Sequence, residues 1–212
     1  MNHTEYIRYI FYILIGYLSG SVLYASLLPK VIKHIDVCSL SDDKNPGTAN
    51  AFAHAGVPVG ILVFLCELSK GTLPVFAATH RIDITEPLFA LVMLAPVLGH
   101  AFPFLQTKKG GKAIAVSFGV LLGLYPELAP ALILATLYIF FSAVVIIRPH
   151  LFRSIATFLL FTVCCLLSKD FPLSVKTGCF LLSAIVIFKH LETYNGERLC
   201  FTLPLLKKLF DH

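Results

Sequence analysis

The stretch from Val57 to Thr79, VPVGILVFLCELSKGTLPVFAAT, carries only the charges of Glu67 and Lys70. It is long enough to cross about 30 Å of hydrocarbon, which takes about 20 predominantly apolar residues. Similar runs lie on both sides of it, and membrane spans are expected near 6–28, 57–79, 85–105, 113–125, 128–147, 151–168 and 172–190. None of the runs alternates with period two, and lipid cannot satisfy open backbone groups, so helices are expected rather than barrel strands. With 57% hydrophobic residues, 14% charged residues and a mean hydropathy of +0.83, the chain is too apolar for an ordinary soluble domain. The expectation is an all-α integral membrane protein with about seven transmembrane helices, forming a single domain over residues 1–212.

Charge sets the orientation. With an odd number of spans, one side carries Lys30, Lys33, Lys44, Lys108, Lys109, Lys112, Arg148, Arg153, Lys189, Arg198, Lys207 and Lys208, and the other only Arg8, Arg81, Lys169 and Lys176. The positive-inside rule then puts the N-terminus outside and the C-terminus in the cytoplasm. The same placement of basic residues at span ends, not in a stripe interleaved with aromatics, argues against nucleic acid as a partner. The first run continues past Gly20 to Leu28 without a cleavage-site pattern and reads as a retained span. Asn2, His3 and Thr4 match a glycosylation sequon at a chain tip, which carries little weight. The cysteines at 38, 66, 164, 165, 179 and 200 lack metal-type spacing and are expected to be buried free thiols.

Two loops on the basic side carry candidate chemistry. Ser41, Asp42, Asp43, Lys44, Asn45, Pro46, Gly47, Thr48, Ala49 and Asn50 form an unusually polar stretch before a helix-compatible segment. Pro46 favours an extended Asn45 and Gly47 permits positive φ, so consecutive N–H groups there can form an anion-binding nest; a plain turn would use the same residues. Lys108, Lys109, Gly110, Gly111 and Lys112 lead straight into the short fourth span, where free N–H groups, the helix dipole and Lys112 can converge on one anion. His100 stands near the end of the third span. Glu67 and Lys70, three residues apart, are expected to pair on one helix face as structural support. Ala115, Gly119 and Gly123, like Gly16 and Gly20, recur every fourth position and allow close helix approach. Lys189, His190, Glu192, Asn195, Gly196 and Glu197 follow at the end of the seventh span, either lining the same cavity or simply solvated.

In this order the segments resemble the small seven-helix family of bacterial acyl-phosphate:glycerol-3-phosphate acyltransferases. Asn45-Pro46-Gly47-Thr48-Ala49-Asn50 is similar to the family's Asn-Pro-Gly-Ala-Thr-Asn, and Glu67-Leu68-Ser69-Lys70-Gly71 to its acidic-x-x-Lys-Gly segment. Gly99-His100-Ala101-Phe102-Pro103 followed by Lys109-Gly110-Gly111-Lys112 reproduces its third motif in residue type and spacing. The resemblance implies transfer of a fatty acyl group from acyl phosphate to the 1-hydroxyl of glycerol 3-phosphate at the cytoplasmic side of a bacterial plasma membrane, among membrane lipids. Because acyl phosphate is already activated, no metal, cofactor or acyl-enzyme nucleophile is obligatory. The catalytic candidates are Lys112, Asp43 and His190, and the substrate-binding candidates Asn45, Gly47, Thr48, Asn50, His100, Gly110, Gly111, Ser142 and Glu197.

The departures from the family pattern cluster around the glycerol-phosphate side. Asp42-Asp43-Lys44 replaces Gly-Ser-Gly, Ala53 replaces an arginine, and His190 is followed by Thr193 where the pattern has asparagine, with Gly196 and Glu197 coming early. An aspartate beside a phosphate dianion is repulsive by about 4 kcal/mol per unit charge at about 4 Å with an effective dielectric near 20. Lys44 and His54 are the nearest cations in sequence that can offset it. The alternatives are a different, less anionic acceptor held by Asp42 or Asp43, or a non-catalytic binder or transporter of an anionic lipid or metabolite. No His-x4-Asp and no Asp-Gly pair is present, which argues against the commoner glycerolipid acyltransferases and alcohol phosphatidyltransferases.

Overall fold

The computed structural model describes residues 2–41, 43–104 and 110–203; Asp42, Lys108, Lys109, Lys207 and Lys208 lie outside the described residues. The expected second span is one uninterrupted helix, α5 (Val57–Thr79), with Pro58 in its first turn where a missing N–H costs nothing. The first span departs from expectation. It breaks after Ser21 into α1 (His3–Ser21) and α2 (Tyr24–Lys33), bent by 41°. Two short helices follow, α3 (Val37–Leu40) and α4 (Thr48–Ala55). The third and fourth spans become α6 (Phe89–Ala101) and α7 (Ile114–Leu122), the latter as short as the sequence suggested. The fifth is α8 (Ala129–Ile139), ending in a π-turn (Phe140–Val144). The sixth and seventh are α9 (His150–Leu167) and α10 (Leu173–Leu191).

Three of these helices, α5, α9 and α10, are long and apolar enough to cross a membrane, and the bent α1–α2 pair counts as a fourth. The fold is mostly helical, though not wholly. Strand β1 (Ile146–Arg148) pairs antiparallel with β2 (Cys200–Thr202), Ile147 opposite Phe201, tying the segment before α9 to the segment after α10. Period-two reading misses such a pair because three residues give no alternation to detect.

Helix α6 sits between α1 and α10, α7 packs on α5, and α9 packs on α8 and α10. The small residues make this possible. A Cβ on Gly20 would overlap the Pro96 backbone of α6, and one on Gly119 the Leu68 carbonyl of α5. The core holds Tyr9, Phe89, Met93, Phe158, Phe161 and Leu182, all buried. Leu73, Leu132 and Leu173 point outward at 65%, 63% and 75% exposure, an arrangement that suits lipid and that water would penalise. The six thiols are free, but only Cys165 and Cys179 are buried; Cys200, in β2, is exposed.

The break between α1 and α2 leaves backbone groups without helical partners, and α5 supplies them. Lys70 Nζ donates to the Val22 carbonyl at 2.6 Å, and Glu67 Oε1 accepts from the Ala25 N–H at 3.2 Å. The two side chains pair with each other at 2.7 Å, each 1% exposed. His100 Nδ1 lies 2.8 Å from Lys70 Nζ and 3.1 Å from Glu67 Oε2. An ammonium has three donors, so Lys70 is fully used by Glu67, Val22 and His100. The expected ion pair is therefore a cap for a broken helix. Replacing Lys70 with Met strands Glu67 and the Val22 carbonyl together, at a cost of about 3–5 kcal/mol for a broken buried pair. Thermal unfolding in detergent should show this as a drop of many degrees; an unchanged midpoint would contradict the capping role.

Candidate active site

The heads of α4 and α7 open onto one cavity of about 750 Å³. In the polar loop, Asp43 Oδ1 accepts from the Asn45 N–H at 3.2 Å and from Asn50 Nδ2 at 3.0 Å, while Asn50 Nδ2 also donates to the Asn45 carbonyl at 2.8 Å. This Asx-type turn sets up the start of α4. Gly47 does not take the expected positive φ: it is extended at φ −114, and Lys44 takes the left-handed conformation at φ 48. The nest expected there is thus replaced by a helix N-terminus. Gly47 caps α4 with its carbonyl, and the N–H groups of Thr48, Ala49 and Asn50 have no earlier helical turn to bond.

The second loop works differently from the first. A Cβ on Gly110 would overlap the Ala101 carbonyl and one on Gly111 the His100 imidazole, and the Gly111 N–H donates to the His100 carbonyl at 3.1 Å. Gly110 and Gly111, expected to bind substrate, pack as a strap against the end of α6, behind the cavity wall. Their placement lets Lys112 emerge beside the head of α7, with Ala113 at φ 62 turning the chain into the helix. A non-glycine residue held at positive φ stores strain of the kind found at functional sites.

Lys112 is 7% exposed and joins the two loops. Its Nζ donates to Asp43 Oδ2 at 2.8 Å and stands 3.3 Å from His150 Nε2. Burial pushes the Asp43 carboxyl up, but the hydrogen bonds from Lys112 and Asn50 and the Lys112 charge hold it below the usual carboxylate range. The offset for the aspartate is therefore Lys112, not the expected Lys44, which is exposed and outside the lining; His54 does line the cavity.

Of the residues expected at the site, Asp43, Asn45, Gly47, Thr48, Asn50, His100, Lys112 and Glu197 line this cavity together, and Asn195 joins them. His190 does not reach the lining. It is fully buried, donates from Nδ1 to the Val186 carbonyl at 2.8 Å, and lies behind His150 with ring centroids 6.3 Å apart. Ser142 sits exposed on the π-turn after α8, away from the cavity. Sequence reading missed His150. No motif marks it; its only signal is a titratable ring directly after Arg148-Pro149 at the head of a span.

Two helix N-termini and one lysine on a shared cavity wall can meet the oxygens of an anion, and comparison with known proteins agrees. The profile of the family described as glycerol-3-phosphate acyltransferase matches residues 10–200. A protein of that name from Hydrogenobaculum sp. (strain Y04AAS1) is 32% identical over 175 residues, covering 82% of this chain and 86% of its own. Another from Bacillus velezensis is 36% identical over 179 residues, covering 84% and 88%. The crystal structure of an integral membrane glycerol 3-phosphate acyltransferase, PlsY, in its glycerol 3-phosphate form superposes with a TM-score of 0.76 at 26% identity, covering 95% of this chain and 98% of that one. A mostly helical membrane chain with this cavity, matched over nearly its whole length, belongs to the glycerol-3-phosphate acyltransferase family.

Proposed function

We propose that the chain transfers a fatty acyl group from acyl phosphate to the 1-hydroxyl of glycerol 3-phosphate, forming lysophosphatidic acid for phospholipid synthesis. The observation that carries this reading is Lys112 and the heads of α4 and α7 converging on one cavity. In the reaction the hydroxyl oxygen attacks the acyl carbon, the bond from that carbon to the phosphate oxygen breaks, and its electron pair leaves on phosphate. The hydroxyl proton ends on the released phosphate. The protein's tasks are to orient the hydroxyl and neutralise phosphoryl oxygens, which the helix N–H groups and Lys112 are placed to do. Asp43 and Asn50 hold Lys112 and the loop in register, His100 anchors the glycine strap, and Glu197 lies on the cavity wall.

The charge asymmetry of the loops supports a bacterial plasma membrane protein of about seven passes, its N-terminus outside and this cavity on the cytoplasmic side. Acyl phosphate supplied from the cytoplasm would meet the acceptor there.

With acyl phosphate and glycerol 3-phosphate, the purified protein is expected to form lysophosphatidic acid and inorganic phosphate. Lys112→Ala should lower turnover by about 10²–10³-fold, the usual cost of removing one preorganised charge-stabilising donor. Absence of product from the wild type, or full activity in the variant, would overturn the reading. Asp43 also gives a pH test. Its folded carboxyl is held below its unfolded value of about 3.9, so its stabilising effect is present above that pH and fades as pH falls through the depressed value. Wild type should therefore melt above Asp43→Asn near neutrality, and the gap should close on acidification; a gap independent of pH would show that the carboxylate charge is not what Lys112 holds.

A further inference from the structure

Among the described residues, the charges at the cavity cancel before any ligand arrives. Asp43 neutralises Lys112, and Lys70 neutralises Glu67 while spending its three N–H groups on Glu67, Val22 and His100. Glu197 adds a further negative charge, and Ala53 stands exposed outside the lining where the family pattern has a permanent cation. A phosphate dianion entering this site needs positive charge that the described residues at rest do not offer.

Among the described residues, His150 is placed to supply it. His150 lines the cavity with Nε2 3.3 Å from Lys112 Nζ. An ammonium only donates, so Nε2 accepts, and the neutral ring carries its hydrogen on Nδ1. Any anion taking the remaining N–H of Lys112 comes within reach of the same Nε2. We propose that His150 is the second cation of the phosphate site, neutral while the cavity is empty and protonated when a phosphate dianion binds. Lys112 then turns an N–H from His150 to the phosphate, Nε2 takes one proton from solvent, and the imidazolium donates to the same anion. The groups facing His150 are Lys112 and Asp43 from the two loops, His190 from α10, Glu197 after α10, and Arg153 one turn along α9. Of these, Lys112 and Arg153 carry positive charge and Asp43 and Glu197 negative charge, and a bound dianion adds the decisive negative charge. His54, also on the lining, is the competing imidazole.

This inference rests on the site taking a phosphate group, and its test separates the two. Calorimetric binding of glycerol 3-phosphate and of inorganic phosphate is measured between roughly pH 7 and 9, where a phosphate monoester, with a second pKa near 6, is fully dianionic. Wild-type affinity should weaken with rising pH, approaching about tenfold per pH unit for one linked proton, with proton uptake visible across buffers of different ionisation enthalpy. His150→Gln should bind several-fold more weakly at pH 7 and lose both the slope and the uptake. His150→Lys should restore affinity with a flat profile, which also shows that the site still folds, and His54→Gln should keep the wild-type slope. A wild-type slope surviving in His150→Gln, or no binding of either probe by the wild type, overturns the proposal. Turnover of acyl phosphate with glycerol 3-phosphate, measured in parallel, tells the readings apart: turnover without a His150-dependent slope removes this inference alone, and His150-dependent binding without turnover removes the reaction alone.

Discussion

A helix that breaks within an apolar bundle must find partners for its exposed N–H and C=O groups, and the rest of this structure follows from how that demand is met. At Val22 and Ala25 the partners are the side chains of Lys70 and Glu67. Two charges in an apolar helix are costly alone, but here each is paired and each also closes a backbone gap. The cost of burying the ions and the cost of breaking the helix offset each other. Remove either feature and the other loses its justification.

The same cluster reaches the chemistry through His100. Its ring contacts Lys70 and Glu67, its carbonyl accepts from Gly111, and no side chain fits on Gly111 without displacing the ring. A line of contacts thus runs from the α1–α2 bend through the end of α6 to the strap that delivers Lys112. Lys112 then fixes the polar loop by its bond to Asp43, which holds Asn45 and Asn50. The three separated sequence segments are successive supports of one lysine.

Sequence reading recovered what local chemistry determines. The Val57–Thr79 helix came out with its boundaries, because hydropathy and the terminal proline act within the segment. The shortness of the fourth span and the pairing of Glu67 with Lys70 were legible for the same reason. The glycines were read correctly as contact points in the spans but not in the strap. Gly110 and Gly111 precede a lysine in the pattern of a phosphate loop, and only the fold shows that His100 and Ala101 occupy the space their side chains would need. The break after Ser21 was hidden since Val22 and Leu23 carry the apolar run onward, and the side chains that bond the groups it leaves open lie some 45 residues away in α5. His150 was invisible for a related reason: its role depends on Lys112, 38 positions earlier. Ser142 lies exposed on the π-turn Phe140–Val144 and off the cavity lining, a local geometry that hydropathy does not encode.

The aspartate at position 43 changes what the empty site is. A lysine 7% exposed and lacking a counter-ion would pull in water, leaving the head of α7 poorly held until a ligand came. With Asp43 at 2.8 Å, the two loops are locked together in the absence of substrate. The gain in order has a consequence in affinity, because an incoming phosphate must compete with a carboxylate already in place. Stability of the empty site and attraction for its anion therefore pull in opposite directions through a single side chain. A serine at this position, as in the family pattern, would relax the first and strengthen the second. The substitution is best understood as moving the site along that trade-off, with the acyl-transfer geometry of the two helix N-termini left in place.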